Sequence, residues 1–122
     1  MKKIVFLSVV SALLAACGGD DGKSKGDPAA IAEAQKVWNE KCVTCHGNRG
    51  MGDGPGAAAL EPKPRTFRDP KWQTQTDDAR ISKVIVEGGT AVGLSANMAP
   101  NPELKDKPAV VAELVKIIRS FK

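Results

Sequence analysis

Cys42-Val43-Thr44-Cys45-His46 is the stretch on which the reading of this 122-residue chain turns. The spacing C-x-x-C-H is the attachment signature of a c-type haem. Residues three and four apart share a helical face, so Cys42 and Cys45 can both reach one porphyrin edge and form thioethers with its vinyl groups. His46 follows at once and can place an imidazole nitrogen under the iron.

Working outward, the sequence has three cysteines, and the motif uses two. The third, Cys17, closes a different pattern. Lys2-Lys3 precede an apolar run from Ile4 to Ala16, too short for the about 20 residues that span a bilayer. The run ends Leu14-Ala15-Ala16-Cys17 and resembles a bacterial lipobox, in which the cysteine is diacylated and becomes the new N-terminus. An ordinary secretory site prefers a small residue where Leu14 stands, so residues 1–16 are read as a lipoprotein signal. All three cysteines then have an assignment, one to lipid and two to haem. The expected location is the bacterial cell envelope, lipid-anchored and facing the periplasm. Gly18 after the cysteine slightly favours the outer over the inner membrane.

Removing residues 1–16 takes away Lys2 and Lys3, so a formal charge of +4 becomes +2. No basic stripe with interleaved aromatics is present, and nucleic acid is not an expected partner. Residues 17–27 read as a lipidated flexible tether; about ten such residues span roughly 17–19 Å. Residues 28–122 form the one domain. Asp27-Pro28 starts a helix, and Ile31, Ala34, Trp38 and Cys42 recur at helical spacing up to the haem motif. Gly47 to Gly56 is too glycine-rich for an element interior. Ala57 to Leu60 suits a single turn, and prolines 62, 64 and 70 predict an irregular stretch after it. A second helix is expected over Thr76–Glu87, capped by Thr76, with Ile81, Val84 and Ile85 as its stripe. A last helix is expected from Pro108, with Val110, Leu114, Ile117, Ile118 and Phe121 on one face. The result is an all-α domain of about three main helices around one covalent haem, which supplies apolar volume that the chain's three Phe, one of them in the signal, and two Trp do not.

His46 is the only histidine, so a second imidazole ligand from this chain is excluded. Methionine, lysine, water or an open position remain. Met51 lies five residues after His46, poorly placed to cross to the other face, whereas Met98 lies in a proline-punctuated loop that can hold a sulfur at the iron.

Residues 28–122 resemble a small class I cytochrome c. The likeness rests on the helix ending in Cys42-Val43-Thr44-Cys45-His46, the loop Gly47 to Pro55, the segment Gly88-Gly89 to Met98, and the final amphipathic helix, in that order. Geometry and resemblance together select Met98 as distal iron ligand. The resemblance further implies that the first and last helices cross, with Ala34 meeting the Leu114–Ile118 region. It implies that the Pro55 carbonyl orients His46, and that Arg65 and Trp72 contact the haem propionates. The chain departs from the family pattern at three points. Ile117 stands where an aromatic is usual, Ala99 separates Met98 from proline, and no tyrosine is present, which leaves Asn97 or Asn101 to donate to the ligand sulfur.

The function so implied is one-electron transfer by a monomeric, non-enzymatic carrier. Lys63, Arg65, Arg68, Lys71, Lys105 and Lys107 are candidates to steer an acidic redox partner to the haem edge. The alternative is a haem domain with a labile distal ligand that binds peroxide or a diatomic gas; it lacks a distal acid–base histidine, since His46 is spent on the iron. Zinc or thiol chemistry at Cys42 and Cys45 lacks a fourth ligand and a βαβ context.

Overall fold

The computed structural model describes residues 26–122, and the signal, Cys17 and most of the tether lie outside them. Among the described residues there are helices and loops but no strand. Helix α1 spans Pro28–Val37. Its start follows from Asp27-Pro28: the Asp27 carboxylate accepts the Ala29 N–H at 3.0 Å, and proline takes a first-turn position whose N–H needs no partner. The helical run then continues through a π-helical segment, Trp38–Cys42, into α2, Val43–His46.

Helix α3, Pro70–Gln75, occupies part of the stretch that three prolines had marked as irregular. Its signal is the same Asp-Pro pair: Asp69 accepts from the N–H groups of Lys71 and Trp72 at 2.9 and 3.3 Å. Helix α4 spans Asp78–Glu87 and is capped by Asp77, which accepts from Arg80 N at 2.7 Å. Thr76, the expected cap, instead closes α3. The carboxylate fits the positive helix end better than a hydroxyl does. Helix α5 spans Pro108–Arg119, as the sequence predicts.

The core joins Ala30 and Ala34 of α1, Trp38 of the π-helical segment, Ile81 and Ile85 of α4, and Val110, Val111, Leu114, Val115 and Ile118 of α5, with Phe67 and Leu104 from outside these helices. Helix α1 packs on α5, where Ala34 is 0 % and Leu114 1 % exposed; the alanine methyl lets the two backbones approach. Burying a leucine this completely is worth about 1.5–3 kcal/mol. Ala34, Trp38, Val110, Leu114 and Ile118 are buried as expected, and two details differ. Ile31 is exposed and Ala30 buried, and on α5 Val111 and Val115 are buried while Ile117 is only half-buried. The aromatic contact between the two ends of the chain comes from Phe121, just past α5, whose ring centroid lies 5.4 Å from that of Trp38.

Arg119 ties three helices together. Its guanidinium donates to the Gln73 carbonyl at 2.7 Å and to Gln73 Oε1 at 2.9 Å, to the Thr76 carbonyl, and to Asp78, and it lies 6.0 Å from the Trp72 ring centroid. Each neutral acceptor is worth roughly 0.5–1.5 kcal/mol net, and a charged partner somewhat more.

Candidate functional site

The motif occupies the end of the first helical run. In the π-helical segment the Val43 N–H reaches back to the Trp38 carbonyl, five residues away, instead of four. Such wide turns are uncommon and favour functional sites. The extra residue resets the direction of the last turn relative to the buried Ala30–Ala34–Trp38 stripe. Cys42 and Cys45 emerge half-buried and unpaired to any disulfide. Cys42 Sγ lies 3.9 Å from Val37 O.

The last carbonyls of a helix lack partners within the helix. Here the glycine loop supplies them. Gly52 N donates to His46 O at 2.8 Å, Gly54 N to Cys45 O at 3.2 Å, and Gly56 N to Thr44 O at 2.8 Å. Alternate glycines thus run back along three successive carbonyls of the motif. Gly54 is buried against it: a Cβ there would fall 2.3 Å from both Val43 O and Thr44 O. Sequence reasoning identified the loop but not this role, although glycine at every second position from 50 to 56 was its signal.

His46 Nδ1 lies 3.1 Å from the carbonyl of Arg65. A carbonyl can only accept, so Nδ1 carries the proton and Nε2 keeps its lone pair. The imidazole stacks on Phe67, with centroids 4.5 Å apart and planes at 21°. Burial holds the His46 pKa below its ordinary value, and the Arg65 carbonyl works in the opposite direction. The ring is therefore neutral at pH 7, the state that binds a metal.

The orienting carbonyl thus belongs to Arg65 and not to Pro55. Pro55 sits between Gly54 and Gly56, whose N–H groups are drawn to the helix end. The segment that meets the ring is Arg65–Phe67, fixed to the glycine loop by Phe67 N donating to Gly50 O at 2.7 Å. The Arg65 guanidinium lies 3.6 Å from Asp69, and Trp72 is half-buried with its ring centroid 5.3 Å from that of Phe67.

Met98 is half-buried in a cross-braced loop at the end of α4. Its carbonyl accepts Gly89 N at 2.8 Å, and its own N–H donates to Ser95 O at 3.2 Å. Asn101 N donates to Val86 O at 3.0 Å. A Cβ on Gly89 would fall 2.1 Å from Ser95 O and 3.2 Å from Met98 Cβ, so the loop closes only over glycine. The side-chain amides of Asn97 and Asn101 donate to the carbonyls of Glu61 and Ile85, at 3.4 and 2.8 Å, and are not directed to the sulfur. Met51 is 44 % exposed, consistent with a surface position.

Of the six basic side chains suggested for steering, Lys63 donates to the Ala57 and Ala58 carbonyls, Arg65 faces Asp69, and Lys107 pairs with Glu33 at 2.6 Å. Arg68, Lys71 and Lys105 have no side-chain partner among the described residues.

Two half-buried thiols and a neutral imidazole with one free nitrogen fit a covalent haem. They do not fit the competing chemistries. Among the described residues no three His, Cys, Asp or Glu side chains gather as a metal-binding group. Burial pushes the Cys42 thiol up to about 11, with Lys41 opposing, so it is not the thiolate that redox exchange requires.

The cytochrome c family model matches residues 31–120. The chain belongs to the cytochrome c family. Its cofactor is a covalently bound c-type haem with its iron, and its class of work is haem-based electron transport. Comparison with curated proteins and with solved structures returns no match.

Proposed function

We propose that this cytochrome c is a one-electron carrier, not an enzyme, in which Cys42 and Cys45 form the thioethers and His46 and Met98 ligate the iron. The observation that carries the proposal is the 3.1 Å contact between His46 Nδ1 and Arg65 O, which leaves Nε2 as the ring's only donor atom for a metal. When bound, the haem supplies the one-electron couple. His46 is held neutral by burial and kept from turning by Phe67 on its face and Arg65 O at its edge. As the only histidine it leaves the opposite position to another residue type, and the bracing of the Gly88–Pro100 loop supports Met98 there. A thioether ligand in a buried site favours the reduced state and raises the potential. Arg65 and Trp72 are the proposed propionate contacts.

Cys17 as a diacylated N-terminus would hold the domain at a membrane of the bacterial envelope, on its periplasmic side, where it meets redox protein partners. No helix among the described residues is long and apolar enough to cross a membrane.

The test is the ferric spectrum of the purified holoprotein. A far-red Met-to-iron charge-transfer band is expected, and Met98→Ala should abolish it and lower the reduction potential with haem still attached. A high-spin wild-type spectrum, or an unchanged potential in Met98→Ala, would remove Met98 as ligand and favour the gas- or peroxide-binding alternative. Cys17→Ser should release the protein from membranes without changing its spectrum; persistent attachment refutes the anchor.

A further inference from the structure

Gln73 lies in α3, outside the haem motif. Its side chain is half-buried and satisfied at both ends. Nε2 donates to Phe67 O at 2.7 Å and to Ile118 O at 3.0 Å, while Oε1 accepts from Arg119 at 2.9 Å. Phe67 is the residue stacked on the His46 ring, and Arg65, whose carbonyl accepts the hydrogen bond from Nδ1–H, is two residues before it. The short run Arg65–Phe67 therefore both orients His46 and accepts its hydrogen bond. It is held to the glycine loop through the Phe67 N–H, on Gly50 O, and to α5 through the Phe67 carbonyl, by way of Gln73.

We infer that Gln73 is a positioning residue for the iron's histidine ligand: by fixing the Phe67 carbonyl to α5 it sets the strength of the His46–Arg65 hydrogen bond, and through it the reduction potential. The inference rests on His46 being the proximal ligand. The physical link is that an acceptor on the distant ring nitrogen makes an imidazole a stronger donor to its metal. A tight bond to Arg65 O stabilises the oxidised iron, and a looser one raises the potential. Nothing but the Gln73 amide reaches the Phe67 carbonyl from a side chain among the described residues. Phe67 is 6 % exposed, so water does not readily take the place of that amide.

The experiment compares Gln73→Met with Arg119→Met in the holoprotein, by thermal unfolding, reduction potential and exchange of the His46 Nδ1 proton in the reduced state. Gln73→Met keeps the side chain's length and removes its donor. It should raise the potential and speed Nδ1 exchange about fivefold, the factor set by the loss of one ordinary hydrogen bond. Arg119→Met removes more contacts but leaves Nε2 on Phe67 O, so it should lower the melting temperature further while the potential stays near wild type. Equal potentials in wild type and Gln73→Met, or shifts that simply follow the melting temperature across both variants, would overturn the inference and leave Gln73 as a packing residue. If Gln73→Met does not fold, Gln73→Glu keeps the Arg119 contact without the donor, and its Nδ1 exchange gives the same decision. Hyperfine-shifted His46 resonances in the oxidised wild type separate the two levels: their absence overturns the ligation and the inference together, whereas their presence with an unmoved potential overturns the inference alone.

Discussion

Replacing Gly54 by alanine adds one methyl group where the glycine loop crosses the haem-motif helix. That carbon would sit 2.3 Å from two backbone oxygens, those of Val43 and Thr44. Carbon and carbonyl oxygen ordinarily meet no closer than about 3.3 Å. Neither oxygen is on a flexible side chain, so the loop must lift by about 1 Å, the difference between those distances. The same loop makes three bonds to the helix end, at 2.8, 3.2 and 2.8 Å. Lengthened by that much, all three pass the limit of a hydrogen bond. At about 1 kcal/mol each the expected loss is about 3 kcal/mol. For a domain of this size, that lowers the melting temperature by roughly 12–24 °C. The assay is thermal unfolding of the holoprotein, with Gly56→Ala alongside. At Gly56 the nearest atoms stand 3.2 Å away, one of them the Thr44 side-chain methyl, and a small adjustment suffices. A Gly54→Ala protein melting within about 4 °C of wild type would refute the reasoning, because it would show that the loop does not need this approach.

Leu114→Ala, at the packed face between α1 and α5, should cost about 2–5 kcal/mol by the midpoint of urea unfolding, with the absorption spectrum unchanged. Asp69→Ala removes the cap of α3 and should cost about 1 kcal/mol; no change would mean that α3 is held by its side chains alone. Glu103 pairs with Lys41, and that hydrogen bond holds its carboxyl below the ordinary value of 4.5. A lowered folded value makes the contribution present above 4.5 and lost as pH falls through it. The stability difference between wild type and Glu103→Gln should therefore be larger at neutral pH and shrink as the pH falls below 4.5, and a difference independent of pH would contradict the pairing.

What the sequence made legible is what short segments decide. Cys42 to His46, the Asp27-Pro28 start and the Pro108 start are local patterns, and each stands where it was expected. Helix α3 carries the same local pattern in Asp69-Pro70, but the neighbouring prolines at 62 and 64 give the whole run an irregular signature that masks it. Width of burial was harder. Val111 and Val115 are inside because α5 meets both α1 and α4, and that depends on packing that no single period encodes. The partner of His46 was not legible at all, since a backbone carbonyl leaves no mark in sequence; any residue at position 65 would offer one. The Gln73–Arg119 contact joins residues 46 apart, and only the tertiary fold brings them together.

The π-helical segment has a consequence for how this motif can be moved or mutated. Its Val43-to-Trp38 closure spans one more residue than an ordinary turn. The aim of the two cysteines is therefore a matter of counting: it depends on how many residues separate Trp38 from Cys42. Deleting one residue between them would restore regular winding and swing both thiols and the imidazole around the helix, with every ligand still present in the chain. Conversely, grafting Cys-x-x-Cys-His onto an uninterrupted helix would reproduce the letters and miss the direction.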